Sequence, residues 1–126
     1  MIQIHLALQE YMRTGKRYSP PIKIKLGMER IAQSVADYHG VTVEDMKAVS
    51  RRRKDVLPRQ QATYAMRVKG YTLAPIAEFF YQDHTTVINS IKSVRNSMDT
   101  DPDYRVEIDN ILHNVSKLEH EQPATN

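Results

Sequence analysis

The sequence predicts an all-α fold, a helical bundle containing a helix-turn-helix, and three observations lead there. Apolar residues recur at spacings of three and four in several separate stretches, the period of helices that bury one face. Residues suited to open helices (Thr42, Pro58, Thr72, Asp83) precede such stretches, and Gly40 and Gly70 stand where two of them end. One stretch, at the N-terminus, alternates as a strand would, but no partner strand is evident elsewhere.

In residues 1 to 12, Ile2, Ile4, Leu6 and Leu8 alternate, while Ile4, Leu8, Tyr11 and Met12 share a helical face; the want of a partner strand favours helix. Gly15, Lys16-Arg17 and Pro20-Pro21 mark a loop. Residues 28 to 39 read as a helix with Met28, Ile31, Val35 and Tyr38 on one side, ended by Gly40 in a left-handed conformation. Thr42 and Asp45, a hydroxyl and a carboxylate three residues apart, resemble a capping box that opens a short helix to about Val49. Ser50 to Asp55, basic and unsuited to burial, reads as a loop. Pro58 fits the first position of a helix running to Lys69, with Ala62, Tyr64, Ala65 and Met66 inward. Thr72 is placed to cap a helix from Leu73 to about Tyr81, with Pro75 tolerated in its first turn and Ile76, Ala77 and Phe80 inward. Asp83 caps the next helix, whose buried stripe is Val87, Ile88, Ile91 and Val94. Thr100 to Asp103 is a turn, and a last helix from Tyr104 to about His120 buries Ile108, Ile111, Leu112, Val115 and Leu118. The chain thus divides into an N-terminal extension (1–27), a helical domain (28–120) and a polar tail (121–126).

Composition narrows the function. With 126 residues, 40% of them hydrophobic, the chain suits one domain with its own core. The net charge of +3 is small, but its distribution is uneven. From Ser50 to Lys69, seven cations face one acid, Asp55, a balance of +6; from Asp99 to Glu121, seven acids face Arg105 and Lys117, a balance of −5. That asymmetry suits one face to a polyanion. Cysteine is absent, which excludes disulfides and thiolate chemistry. No apolar run approaches the roughly 18 residues of a membrane span, and no secretory signal is evident, so the cytoplasm is the expected compartment. There is no Gly-rich phosphate loop for a nucleotide. No histidines pair at i,i+4, and His113 and His120 read as a solvated surface pair rather than a metal site. The expectation is a binding module, not an enzyme, without cofactor or metal.

A short helix, a tight connection at Gln82-Asp83 and a second amphipathic helix form the helix-turn-helix pattern, whose second helix reads the major groove. His84, Thr85 and Thr86 fall in its first turn, ahead of the apolar stripe, and Lys92 and Arg95 follow. Two short helices with a polar turn also occur in all-α folds that bind nothing. The run Arg51-Arg52-Arg53-Lys54 lies just ahead in sequence, and arginine in such an arm suits a narrow, A·T-rich minor groove.

Arg51-Arg52-Arg53, Pro58-Arg59-Gln60, Leu73 with Ile76, and Asp83-His84-Thr85-Thr86-Val87 resemble, in order and approximate spacing, the C-terminal DNA-binding domain of the bacterial replication initiator DnaA, from about Met28 to Leu118. The resemblance implies a Trp-repressor-like helical bundle that binds short, asymmetric, A·T-rich boxes in duplex DNA. By the same resemblance Arg51 matches the arginine that enters the minor groove, and Asp83, His84 and Thr85 match major-groove base readers. Leu73 and Ala74 match a pair that touches a thymine methyl, although the family usually has proline where Ala74 stands. Thr86 matches a phosphate contact; Gln60, Arg67 and Lys92 fall on or near backbone-contacting positions, and Arg52, Arg53, Lys54 and Arg59 complete the basic set.

The departures shape the expectation. The family's ATPase module and nucleotide loop have no counterpart here, so ATP-driven origin opening does not carry over. The family's turn usually reads Phe-Gly-Gly-Arg-Asp, whereas Phe80-Tyr81-Gln82-Asp83 counts as one residue shorter and lacks glycine; the segment between Gln60 and Leu73 also counts one short. The function expected is sequence-specific binding of double-stranded DNA as a nucleoid-associated regulator of replication or transcription, of phage, plasmid or other mobile-element origin. The alternatives are an adaptor that engages the replication machinery through the acidic last helix, and an RNA-binding protein using the basic run. Residues 1–27 are the candidate surface for a homodimer.

Overall fold

A computed structural model describes residues 22–48 and 53–121 of the protein. The N-terminal stretch read above as helical, Arg51, Arg52 and the tail beyond Glu121 lie outside the described residues. Six helices make up the described part and no strand occurs in it: α1 Ile22–His39, α2 Val43–Lys47, α3 Arg53–Val68, α4 Leu73–Phe79, α5 His84–Thr100 and α6 Pro102–Glu121.

Helix α3 runs through the middle and packs against each of the other five. Its Ala62, Ala65 and Met66 meet Met28, Ile31, Ala32 and Val35 of α1, Val87, Ile91 and Val94 of α5, and Ile108, Ile111 and Val115 of α6 in one core. Each such Ile, Val or Met side chain removed from water contributes about 1.5–3 kcal/mol before entropy is charged against it. A helix packed against five others leaves little solvated surface along its middle for polar residues. Asp55, Gln61 and Thr63 of α3 are accordingly buried. Thr63 Oγ1 donates back to the Arg59 carbonyl at 2.9 Å. Gln61 accepts from His39 Nε2 at 2.5 Å and donates to Glu107 Oε2 at 2.6 Å, which ties α1 and α6 to the centre. Glu107 is therefore a structural acceptor within the acidic last helix. The amide must turn its NH2 to the carboxylate, so its oxygen faces His39, and the imidazole Nε2 carries a proton.

Several boundaries differ from the sequence expectation. Helix α1 starts at Ile22, six residues earlier, and its Gly27 makes room for a close approach: a Cβ there would lie 2.0 Å from the Tyr71 hydroxyl, which would have to shift. Tyr38 is 41% exposed rather than inward, because the buried face passes through Ala32 and Ala36 to His39. Helix α3 begins at Arg53, so Arg53, Lys54 and Asp55 are helical and Pro58 lies inside the helix, not at its first position. Asp55, buried one turn before Arg59, supplies the opposite charge at i,i+4 that supports this early start. The expected turn at 100–103 shrinks to Asp101, whose Oδ1 accepts from the N–H groups of Asp103 and Tyr104, with Pro102 as the first residue of α6. Ile88, Leu112 and Leu118 are half-buried rather than fully inside.

Candidate nucleic-acid interface

Helices α4 and α5 meet through Phe80 to Asp83, and each part of this unit has a local cause. Thr72 takes the N-cap position of α4 with extended backbone but makes no side-chain cap, contrary to the expectation; Ile76 N–H reaches the Thr72 carbonyl at 3.4 Å. Ala74, Pro75, Ile76, Ala77 and Phe79 are all buried, so this seven-residue helix is held by packing. Leu73 keeps partial exposure, but Ala74 is only 6% exposed, which leaves Leu73 as the member of that pair with surface to offer.

Asp83 caps α5 as the sequence predicts. Its Oδ1 accepts from Thr86 N–H at 2.8 Å. That bond, followed by the Thr86 side chain, holds the carboxyl below the usual carboxylate range against an opposing desolvation, with lesser help from His84 and the Thr85 N–H. Val87, Ser90, Ile91 and Val94 pin one side of α5 into the bundle. The side left outside carries Thr85, Thr86, Asn89, Lys92, Arg95 and Asn96, all exposed, with His84 half-buried at the edge. Thr85, Asn89, Lys92 and Asn96 recur at intervals of four, three and four, a polar stripe along one face. Asn89 was not singled out from the sequence, although its spacing from Thr85 could have found it; an asparagine amide suits the N6/N7 edge of adenine.

The basic residues divide. Lys54 is exposed at the start of α3, Gln60 is half-buried, and Arg67 is exposed with Nη1 3.4 Å from the Tyr71 carbonyl. Lys69 is directed elsewhere, donating to Ser116 Oγ of α6 at 2.9 Å. Arg59, expected at a phosphate, turns inward. Its Nη1 donates to the carbonyls of Met46 at 3.0 Å and Ala48 at 2.9 Å, closing the C-terminus of α2. Burial draws its guanidinium below the ordinary value, and the charge of Asp55 pulls it back up. It is a strap between helices.

In the turn itself, Phe80 is buried and caps the end of α4, and Tyr81, which follows it, takes a left-handed backbone at φ 55°, the conformation that glycine adopts most readily.

Among the described residues no cluster of His, Asp or Glu could hold a metal ion, and no helix is long and apolar enough to cross a membrane.

Comparison with known proteins places these features. A family profile described as the bacterial dnaA protein helix-turn-helix matches residues 28–94, more than half of the chain. The chain is 31% identical over 108 residues to the chromosomal replication initiator protein DnaA of Streptococcus mutans, covering 84% of this chain and 24% of that protein. It is 28% identical over 103 residues to the DnaA of Deinococcus radiodurans, covering 81% of this chain and 22% of that protein. A crystal structure of a DNA replication initiation factor superposes with a TM-score of 0.68 at 29% identity, over 74% of this chain and 29% of that one. The chain thus spans about a quarter of the length of the relatives it matches.

Proposed function

The chain belongs to the bacterial DnaA helix-turn-helix family, and from that premise we propose that it binds double-stranded DNA sequence-specifically, the first turn of α5 in the major groove and the basic run of residues 51–54 at the minor groove. The observation that carries the reading is the division of α5: its apolar side is locked into the core, while Asp83 and the polar stripe that begins at Thr85 remain on the outside, with His84 half-buried at the edge. A helix fixed on one side can hold its readers in register with base edges, and this needs no movement of the bundle.

In this reading Asp83, His84 and Thr85 contact bases, Asn89 extends the readout, and Thr86 and Lys92 contact phosphates. Leu73 packs on a thymine methyl. Arg51 enters the minor groove of an A·T-rich box, while Arg52, Arg53, Lys54, Gln60 and Arg67 follow the backbone. Arg59 is left out of this set because its guanidinium is engaged with α2. The biological role proposed is that of a regulator acting at initiator-type boxes in replication or transcription, of phage or other mobile-element origin. Selection of bound sequences from random duplexes by the full chain tests the proposal. Recovery of an A·T-rich motif is the expected outcome, and a bound pool no different from the input would contradict it.

A further inference from the structure

We propose that Tyr81 is a DNA-backbone contact, a tyrosine held on the rim of the groove by the turn that joins α4 to α5. The inference rests on the duplex-binding reading above and adds a residue that the family pattern, with glycine there, does not supply.

Three of the described helices end in the same hydrogen-bonded closure. After α1, Gly40 N–H bonds the Asp37 carbonyl and Val41 N–H the Ala36 carbonyl; after α3, Gly70 and Tyr71 bond Arg67 and Met66 in the same way. After α4, Tyr81 N–H bonds the Glu78 carbonyl at 3.3 Å and Gln82 N–H the Ala77 carbonyl at 2.9 Å. This closure needs a left-handed residue at its first position, which glycine supplies without a Cβ clash. Gly40 and Gly70 meet that need at φ 70° and 100°, whereas the third position is Tyr81 at φ 55°. The next residue adds a second cost. Gln82 Oε1 is buried and has no hydrogen-bond partner among the described residues. Two adjacent turn residues thus hold unfavourable arrangements, the kind of outlier that concentrates at functional sites.

Burial does not compensate for it. Phe79 and Phe80, just before the turn, are 8% and 2% exposed, whereas Tyr81 is 65% exposed. The ring is nonetheless placed: the Lys47 ammonium lies 5.9 Å from its centroid and 4.1 Å from that of Phe79, a cation set between two aromatic groups. The cavity of about 260 Å³ that Tyr81 helps to line carries Lys25 and Lys47 against Glu29 and Glu78, balanced in charge, so it offers an anion no preference.

Docking geometry supplies the ligand. In a helix-turn-helix the first helix crosses the backbone and the second enters the major groove, so the residue between them lies along the phosphates at the groove's edge. An exposed phenol there can donate its O–H to a phosphate oxygen and lay its ring along the deoxyribose. Such a contact carries no sequence information.

The test compares the wild-type full chain with Tyr81→Gly and Tyr81→Phe, measuring melting temperature and affinity for two duplexes, one of random sequence and one carrying the selected box. Tyr81→Gly removes both the strain and the contact. Its melting temperature is expected to rise by a few degrees, while affinity falls about tenfold on both duplexes. Tyr81→Phe keeps the strain and loses only the hydroxyl; it is expected to melt as the wild type does and to bind both duplexes several-fold more weakly. A Tyr81→Gly protein that melts higher and binds undiminished would overturn the contact. One that melts lower would overturn the strain on which the argument stands. A wild-type chain that binds neither duplex would remove the duplex-binding reading itself, and this contact with it.

Discussion

Helices α3 and α5 pack against each other at the middle of the bundle and use polar side chains in opposite ways. In the middle of α3 they point inward and act as fasteners, while Lys54 and Arg67 near its ends stay exposed: Arg59 closes α2, Gln61 joins His39 to Glu107, and Asp55 is buried one turn ahead of Arg59. On α5 the polar residues Thr85, Thr86, Asn89 and Lys92 stay outside, and Asp83 caps the first turn through Oδ1. Packing explains the difference. Helix α3 is covered by all five of the others, whereas α5 is packed against α3, α4 and α6, which leaves one stripe to solvent. Position in the bundle, not residue type, decides whether a polar side chain holds the fold or meets a ligand.

The largest effect belongs to the α3 side. Arg59→Met removes two hydrogen bonds to α2 and leaves the buried Asp55 without the nearby positive charge. A loss of about 2–3 kcal/mol, the scale of charge-assisted hydrogen bonds, is expected in urea unfolding of the full chain. A loss below about 1 kcal/mol, in the range of exposed ion pairs, would move Arg59 to the ligand-facing class and break the comparison.

Asp83→Ala is expected to cost less, about 1 kcal/mol of stability, because it removes one exposed cap. Its sign with pH is fixed. The Asp83 carboxyl is held below its ordinary range when folded, so its contribution is fully present above the unfolded pKa and is lost as pH falls through the depressed folded value. The difference in melting temperature between Asp83→Ala and the wild type is therefore expected to be constant near neutrality and to shrink in acid. A difference that stays constant through the acid range would mean that the ionised carboxylate is not what caps α5.

The elements that the sequence made legible are those whose determinants are local. Gly40 and Gly70 end helices at positive φ, Thr42 and Asp45 form both bonds of the capping box, and Asp83 caps α5. Each depends on residues within a few positions. The features misread or missed depend on partners far along the chain. Arg59 finds carbonyls 11 and 13 residues away, Gln61 reaches Glu107 46 positions later, and Tyr71 fills the space over Gly27. The outward placement of Tyr38 follows from that packing. In the site, the first turn of α5 was legible because cap and stripe share one helix. Tyr81 was not, since a left-handed tyrosine leaves no mark in a local pattern that normally calls for glycine.

The central claim is that the first turn of α5 reads bases while the helix behind it is held rigid. It is tested most directly by titrating wild type, His84→Ala and Thr85→Ala against two duplexes, the selected box and an unrelated sequence of equal length. Groove contacts discriminate by about 1–3 kcal/mol each, so affinity for the selected box is predicted to fall roughly ten- to hundredfold, with little change on the unrelated duplex. Equal losses on both duplexes, or none on either, would contradict the account.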